Sequence, residues 1–409
     1  MQLSDINLVD PDIFVEGVPH EQFTFLRREA PVFWHEDALG GFWALTKHDD
    51  VVHANRDAKT FSSYARSALY NVEDEESLNQ VRLMMLNLDP PDHTKLRKIV
   101  NRGFTPRRIK ELQQSLVDRS RDIVDKIAEK GECDFVTEVA CELPLQAIAD
   151  LVGIPQEDRH KVFDWSNRLV GAADDEFAEN AGEAQGAAIE LFMYAQDLAN
   201  ERRKNPRDDI VTDLLNAEVD GEALDDMEFN SFFMLLAVAG NETTRNAISH
   251  SMLALMQHPD QRQLILDDPA LIDSAIEEFL RWATPVMHFK RTAMHDLELR
   301  GQQIKEGDRV MMWYSSANRD EEVFEDPFTF NVKRDPNLHT LHSAFGGGGP
   351  HFCLGANLAR AEMRVTFDEL LRRIPDMELA AEPSRLRSNF INGLKHLPVK
   401  FAPVKRSDG

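Results

Sequence analysis

The segment that decides the fold reads Phe345-Gly-Gly-Gly-Gly-Pro-His-Phe-Cys353-Leu-Gly355. A glycine-rich run before a helix can bind phosphate through its backbone amides, but this run contains no Lys or Arg and no P-loop surrounds it. Glycines before a cysteine also let the backbone fold tightly beneath a flat ring, while backbone amides and the next helix N-terminus favour a thiolate. The pattern therefore favours Cys353 as the thiolate ligand of a metal held in a macrocycle.

The composition is that of an acidic globular protein. The 409 residues are 42% hydrophobic and 29% charged, and the formal net charge is −25. This is enough apolar content for one large core or two ordinary domains, and the negative charge argues against a nucleic-acid partner. The N-terminus, MQLSDINLVDPDIF, does not resemble a signal peptide. Because the longest apolar run, Phe232 to Ala239, is too short to cross a membrane, a cytoplasmic protein without a membrane span is expected.

Hydrophobic periodicity predicts a mainly α fold. Apolar residues recur at helical spacing from about residue 90 to 285 and again from 356 to 375. Short alternating segments predict a minor β region at about 20–65 and 286–320, with further strands at the C-terminus. The sequence contains no internal repeat, low-complexity segment or linker, so a single domain spanning the whole chain is expected.

Two further motifs carry chemistry. Glu278 and Arg281 are spaced i, i+3 in a predicted helix, a common surface pair worth roughly a few tenths of a kcal/mol. Residues 240–244, Gly-Asn-Glu-Thr-Thr, follow a wholly apolar run, so they are predicted to lie on a buried helix. Gly240 and a threonine suit a distorted turn that leaves a groove for a diatomic ligand. Glu242 beside an alcohol would supply a proton path.

Together these segments resemble the cytochrome P-450 superfamily. FGGGGPHFCLGANLAR is similar to the haem-binding loop and following helix of that family, and Glu278-Phe-Leu-Arg281 is similar to its ExxR motif. The motifs occur in the expected order, and the resemblance covers essentially the whole chain after about residue 20. One departure is that Phe345 stands eight residues before Cys353, where the family usually has seven. Some bacterial members of the family that hydroxylate lipid chains carry a similar glycine-rich run of four residues.

The resemblance implies a haem-thiolate monooxygenase that inserts one oxygen atom of O2 into a C–H bond. The implied cofactor is haem b with Cys353 as iron ligand, and thiolate ligation favours O–O cleavage. Glu242 and Thr243 are implied to deliver protons. Glu278 and Arg281, joined by a later arginine for which Arg334 is the candidate, are implied to hold the haem-side core. The residues implied to bind the cofactor are His93, Arg97, Arg291, Phe345, His351, Cys353 and Gly355.

A hydrophobic substrate is also implied. The sequences of segments such as AGNETTRNAISH and SNFINGLKHLPV are most similar to those of certain bacterial enzymes. These enzymes oxidise methyl-branched lipids, terpenoid alcohols such as linalool, alkanes and steroid side chains. Terminal or allylic hydroxylation of an aliphatic, terpenoid or steroid-like molecule is therefore expected. The pocket residues implied by the resemblance are Leu235, Ala239, Val286, Phe289 and Ile391.

Electrons are expected from another protein, because the sequence shows no internal flavin or iron–sulfur motif. A basic run lies between residues 95 and 110, and in the family fold it would share the thiolate face with Arg360 and Arg364. A cationic face steers acidic partners, so a [2Fe–2S] or similar ferredoxin with its NAD(P)H-dependent reductase is expected. The run consists of Lys95, Arg97, Lys98, Arg102, Arg107, Arg108 and Lys110.

Two alternatives remain open from the sequence. One is a haem peroxygenase that uses H2O2 directly, against which the Glu242–Thr243 pair argues. The other is a non-catalytic haem protein that binds ligands, which would need neither that pair nor the basic run. Turnover with peroxide, compared with turnover with reduced ferredoxin, separates these alternatives.

Overall fold

The computed structural model describes residues 1–69, 74–178, 181–219, 222–335 and 337–407. Helices α1 to α16 cover, in chain order, Pro11–Val15, His20–Glu29, His48–Arg56, Glu75–Val81, Asp92–Val100, Pro106–Ala128, Glu142–Val152, Arg159–Val170, Ala181–Lys204, Ile210–Leu215, Asp226–Gln257, Pro259–Asp267, Ile272–Ala283, Tyr314–Ala317, Leu338–Leu341 and Ala356–Arg373. Strands β1 to β14 cover Val32–His35, Phe42–Leu45, Phe61–Ser62, Glu132–Asp134, Glu218–Val219, Glu222–Ala223, His288–Ala293, Leu297–Leu299, Gln302–Ile304, Arg309–Trp313, Glu378–Leu379, Ser384–Arg385, Leu394–His396 and Pro398–Lys400.

The prediction of a mainly α fold with a minor β region is confirmed. The predicted helical bulk nevertheless contains three short strands. β4 pairs with the distant β14, with Cys133 opposite Val399, and β5 forms a hairpin with β6. Strands this short have no readable periodicity, and pairing across more than two hundred residues leaves no local signal. The expectation of a single domain stays a prediction.

Helix α11 forms the centre of the helical part. It begins at a capping box in which Asp225 and Glu228 bond each other's backbone amides, and it runs for 32 residues. Its C-terminal part, from Asn246 to Leu255, is buried on all sides, and the helix packs against α7, α8, α9 and α13. A side chain on the central turns of α11 therefore lies deep in the molecule.

The largest sheet positions two predicted site residues. Its strand order is β1-β2-β10-β7-β3, with β7 antiparallel to β10. Because side chains alternate along a strand, Phe289 and Arg291 of β7 lie on the same face. The segment between β12 and β13 returns to this region, since Ile391 forms an isolated β-bridge with Val286.

A membrane-spanning helix was not expected. In the ranges that the structure describes, no helix is both long enough and apolar enough to cross a membrane.

Candidate active site

The glycine run before Cys353 adopts a backbone that only glycine adopts easily. Gly346, Gly347, Gly348 and Gly349 have φ values of 94°, 64°, 104° and 80°, all in the left-handed region. A Cβ atom on Gly349 would lie 2.2 Å from the backbone oxygen of Asn55 at the end of α3. The loop then closes where the Cys353 amide donates to the carbonyl of Phe345 at 3.0 Å. Gly347, Gly348 and Gly349 thus pack closely on α3, because a Cβ on each would lie 3.0 Å or less from an atom of Val52, Arg56 or Asn55.

Cys353 combines accessibility with desolvation. Its side chain has solvent-accessible surface, yet burial among protein atoms raises the pKa of its thiol, while the Gly355 amide and the cations of Arg97 and Arg360 act in the opposite direction. A group that is both accessible and desolvated lines an internal cavity or a deep cleft. A Cβ on Gly355 would meet no atom within 4 Å, so α16 begins beside open space.

The ring of Phe345 contacts two neighbouring side chains, Arg360 and Phe352. The Arg360 guanidinium lies 4.6 Å from the centre of its ring, a cation–π distance. Its ring also contacts Phe352 edge-on, with the ring centres 6.2 Å apart. The residue eight positions before Cys353 is therefore part of the packed wall of the loop.

Two of the predicted cofactor-binding histidines lie side by side. His93 on α5 and His351 in the loop have ring centres 4.2 Å apart. His93 is buried, and neither of its ring nitrogens has a hydrogen-bond partner among the described residues. Burial, followed by the charges of Arg97 and Arg291, lowers the pKa of His93 to about 4. Burial also holds the pKa of His351 well below its usual range.

The two predicted arginines approach the same place. Arg97 donates from Nη2 to the carbonyl of Phe352 at 2.6 Å, next to Cys353. Arg291 is buried and donates to the carbonyl of Lys290 at 2.7 Å and to Oδ1 of Asn55 at 3.4 Å. No carboxylate of the described chain lies within ion-pair distance of the Arg291 guanidinium.

These groups fit haem b. A buried guanidinium without a carboxylate is expensive unless an anion pairs with it, and the unpartnered nitrogens of His93 point to the same need. Haem b carries two carboxylates that Arg291, Arg97 and the histidines would hold. Its iron would take the Cys353 sulfur as ligand. A thiol, a buried guanidinium without a carboxylate and imidazole nitrogens without partners among the described residues are together what this cofactor requires.

One face of α11 is open although the helix is central. Ala239 is exposed, and Leu235 and Thr243, four residues to either side, are partly exposed. Residues between them, such as Leu236 and Glu242, are buried. Positions four apart lie on the same helix face, so these three side chains share one accessible face of α11. Thr243 donates from its hydroxyl to the carbonyl of Ala239 at 2.9 Å.

Gly240 lies where α7 packs on α11. The helix is assigned without interruption through this position, and the distorted turn stays a prediction. A Cβ on Gly240 would lie 2.9 Å from Cδ1 of Ile148 on α7. The glycine permits close packing of α7 on α11, a contact that local sequence cannot indicate.

Glu242 and Thr243 point in different directions. Glu242 is fully buried and pairs with Arg245 one turn later. It also accepts from Ser166 of α8 at 3.4 Å. Burial raises the pKa of the Glu242 carboxyl, while Arg245 lowers it. The acid therefore lies on the α8 side of α11, whereas the Thr243 hydroxyl lies on the open face.

Glu278 forms the centre of a buried charge cluster. Arg281 donates to it from Nε at 2.7 Å and from Nη2 at 2.8 Å. Arg334 donates from Nε at 3.1 Å, and the amide of Asn331 donates at 2.9 Å. The cluster joins α13 to the segment around residue 331.

The predicted pocket walls are only partly open. Val286 and Phe289 are half-buried, whereas Ile391 is almost completely buried. An isolated β-bridge joins the backbone of Ile391 to that of Val286, so the two residues lie side by side. Phe390, the half-buried neighbour of Ile391, contacts the ring of Phe289 with centres 5.7 Å apart.

Several cations of the predicted basic face are already paired. Arg360 binds both oxygens of Glu277 at 2.6 and 2.9 Å, and Arg364 pairs with Asp273. Both acids lie on α13, so the sequence separation hid these pairs. Arg108 pairs with Glu111 and Asp208.

Two exposed cations near the loop carry no ion pair in the described parts of the chain. They are Lys98 on α5 and Arg56, whose Nε would lie 2.8 Å from a Cβ on Gly348. Arg56 was missed by the sequence reasoning, because α3 precedes the loop by almost three hundred residues. The side chain of Arg102 lies outside the described part of the structure.

Comparisons with known proteins agree with one another. A model of the cytochrome P450 family matches residues 145–375. A steroid C26-monooxygenase of Rhodococcus jostii is 47% identical over 405 residues, which cover 97% of this chain and 84% of the relative. A methyl-branched lipid omega-hydroxylase of Mycobacterium bovis is 45% identical, with 98% and 95% covered. A solved Mycobacterium marinum cytochrome P450 in complex with pseudoionone has a TM-score of 0.90 and 40% identity, with 97% and 98% covered.

Proposed function

The chain belongs to the cytochrome P450 family, and we propose that it hydroxylates a hydrophobic substrate near the end of a branched aliphatic chain. The protein is a haem b-dependent monooxygenase that uses O2 and takes electrons from redox partners. The observation that carries the proposal is the accessible face of α11 at Leu235, Ala239 and Thr243, whose side chains carry no charge. A narrow apolar wall admits the end of a hydrocarbon chain and offers no charge to a polar group.

The relatives narrow the substrate class. One relative is a steroid C26-monooxygenase and another is a methyl-branched lipid omega-hydroxylase. By this likeness we expect a carbon at or near the end of a branched chain to be the one that is oxidised. Val286, Phe289 and Phe390 add an apolar second wall. A sterol-like or methyl-branched lipid therefore fits this chain better than an aromatic or peptide substrate.

In this proposal the cofactor is held by residues that the structure brings together. Cys353 is the iron ligand, and Gly355 and Phe345 shape the loop around it. His93, Arg97, Arg291 and His351 hold the carboxylates. Each imidazole offers an N–H donor, and each guanidinium supplies charge. When bound, haem b supplies the iron that binds O2 and transfers one oxygen atom to the substrate.

Proton delivery is assigned to Thr243 and Glu242. The Thr243 hydroxyl lies on the open face and bonds the Ala239 carbonyl, from which it can rotate toward the cavity. Glu242 is buried behind it, held by Arg245 and Ser166. To pass a proton to Thr243, the carboxyl must leave these partners by rotation of its side chain.

Thr243→Ala tests this assignment. Product formed per NADH consumed is expected to fall about tenfold or more, since a positioned acid–base group contributes roughly 10²–10⁴-fold. Ser251→Ala is the matched control, because Ser251 makes the same type of bond to Ala247, at 2.6 Å, in the buried half of α11. Equal coupling in the two variants would remove Thr243 from the mechanism.

The redox partner is assigned as an acidic ferredoxin, and the protein is assigned to the cytoplasm. The unpaired cations Lys98 and Arg56 support the assignment of the ferredoxin. So does the ring of Phe352, the residue before Cys353, because Phe352 is 39% exposed. Paired arginines contribute less, because their charges are already neutralised. Lys98→Glu and Arg56→Glu are expected to slow ferredoxin-supported reduction at low salt. Lys305→Glu reverses an exposed charge in the β region as control, and equal rates in all three variants would contradict the assignment.

The substrate class is tested by equilibrium titration. Sterols with a branched side chain, methyl-branched fatty acids and acyclic terpenoids are added, and displacement of the sixth-site water is followed in the absorption spectrum. Product regiochemistry is then read by mass spectrometry. The proposal predicts binding of the branched chains and oxidation at or next to a terminal carbon. Binding confined to aromatic or peptide ligands would contradict it.

A further inference from the structure

The last turn of α3 contacts two parts of the cofactor site at once. A Cβ atom on Gly349 would lie only 2.2 Å from the backbone oxygen of Asn55. The side chain of the same residue reaches Arg291 on β7. Asn55 is buried, with 3% of its surface exposed. One residue therefore connects the loop that carries Cys353 with the guanidinium on the neighbouring strand.

Three hydrogen bonds hold the side chain of Asn55. Its Oδ1 accepts from the Tyr314 hydroxyl at 3.0 Å and from Nη2 of Arg291 at 3.4 Å. Its Nδ2 donates to the Val51 carbonyl at 3.0 Å. An amide oxygen has two lone pairs, so both are used. The Val51 bond also fixes which end of the amide faces Arg291.

The neutrality of this acceptor matters. A carboxylate at the same place would also orient Arg291, but it would neutralise its charge and compete with an anionic ligand. Burial already makes the guanidinium less favourable as a cation, since it lowers the pKa of Arg291. An amide orients the group through a hydrogen bond and leaves the charge available.

We propose that Asn55, itself held by Tyr314, is a positioning residue that orients Arg291 toward a carboxylate of haem without neutralising it. The inference rests on the proposed role of Arg291. It also explains why α3 and the glycine run are packed so closely. The backbone of Asn55 sets the position of the loop, and its side chain sets the position of Arg291. The Cys353 thiol and the Arg291 guanidinium are therefore fixed relative to each other.

Haem transfer to apomyoglobin provides the test, since it does not depend on turnover. Asn55→Asp is expected to speed haem loss about tenfold, the scale of one charge-assisted hydrogen bond, and to lower the reduction potential. Asn55→Ala removes orientation without adding charge, so haem loss should rise while the potential changes little. Tyr314→Phe should give a smaller increase than Asn55→Asp. Asn230→Asp, which buries a carboxylate in α11 beside Gln196, is the matched control and should leave both quantities unchanged.

A second background separates positioning from simple loss of structure. In the Arg291→Gln variant there is no guanidinium with which an aspartate at position 55 could pair. Adding Asn55→Asp to that variant should therefore not speed haem loss further. An equal effect of Asn55→Asp in both backgrounds would overturn the inference, as would no effect in the wild-type background. If Arg291→Gln itself leaves haem transfer unchanged, the proposed role of Arg291 fails instead.

Discussion

Replacement of Gly349 by alanine isolates the contact between the glycine run and α3. Gly349 has φ +80°, and its added Cβ would lie 2.2 Å from the Asn55 oxygen and 2.9 Å from the Asn55 carbonyl carbon. Both atoms belong to the backbone of a buried helix end, so neither can swing away. Gly346 provides the matched comparison, because it has φ +94° and its nearest neighbour would lie 3.8 Å away.

The magnitude follows from two separable terms. A left-handed backbone disfavours any non-glycine residue by about 1–2 kcal/mol, and both variants carry this penalty. Forcing a methyl group into a packed region adds about 1–3 kcal/mol, and only Gly349→Ala carries that term. The free energy of unfolding should therefore fall by about 1–2 kcal/mol in Gly346→Ala and by about 2–5 kcal/mol in Gly349→Ala.

Urea unfolding of the haem-loaded proteins measures this difference, and the ratio of Soret to protein absorbance reports haem content. Gly349→Ala should lose both stability and haem, because the loop that carries Cys353 must move away from α3. Gly346→Ala should keep most of its haem. Equal losses in the two variants would mean that backbone strain alone, and not packing on α3, explains the glycine run.

Two further predictions concern charge. Glu278→Gln leaves two buried guanidinium groups without their anion, so the free energy of unfolding should fall by about 3–5 kcal/mol in the same urea assay; a fall below about 1 kcal/mol would mean that the cluster behaves like a surface pair. His396 bonds Asp134 at 2.5 Å and Glu176 at 2.8 Å, and Asp134 is the main cause of its raised pKa. The resulting stability is complete below the unfolded value of 6.5 and is lost as pH rises through the raised folded pKa. His396→Gln should therefore be less stable than wild type at about pH 6 and equally stable at about pH 9. A stability difference between the two proteins that does not change with pH would mean that the charge of His396 does not contribute.

The sequence predicted what is local and missed what joins distant segments. The loop at Cys353 and the turns of α11 around Thr243 lie within motifs of a few residues, so their resemblance to a known family indicates the chemistry. The pairing of Arg360 with Glu277 depends on α16 packing against α13, so the sequence overstated the free positive charge. Asn55 has no local pattern at all, because its partners lie on the glycine run and on β7.

The central claim is that Cys353 binds the haem iron as a thiolate. The absorption spectrum of the reduced, CO-bound protein tests it most directly, with Cys353→Ser and Cys141→Ser compared with wild type; Cys141 is buried, and burial raises the pKa of its thiol to about 12. A strongly red-shifted Soret band in wild type and Cys141→Ser, and its loss in Cys353→Ser, is the predicted result. A wild-type band without the red shift, or a red-shifted band that survives in Cys353→Ser, would contradict it.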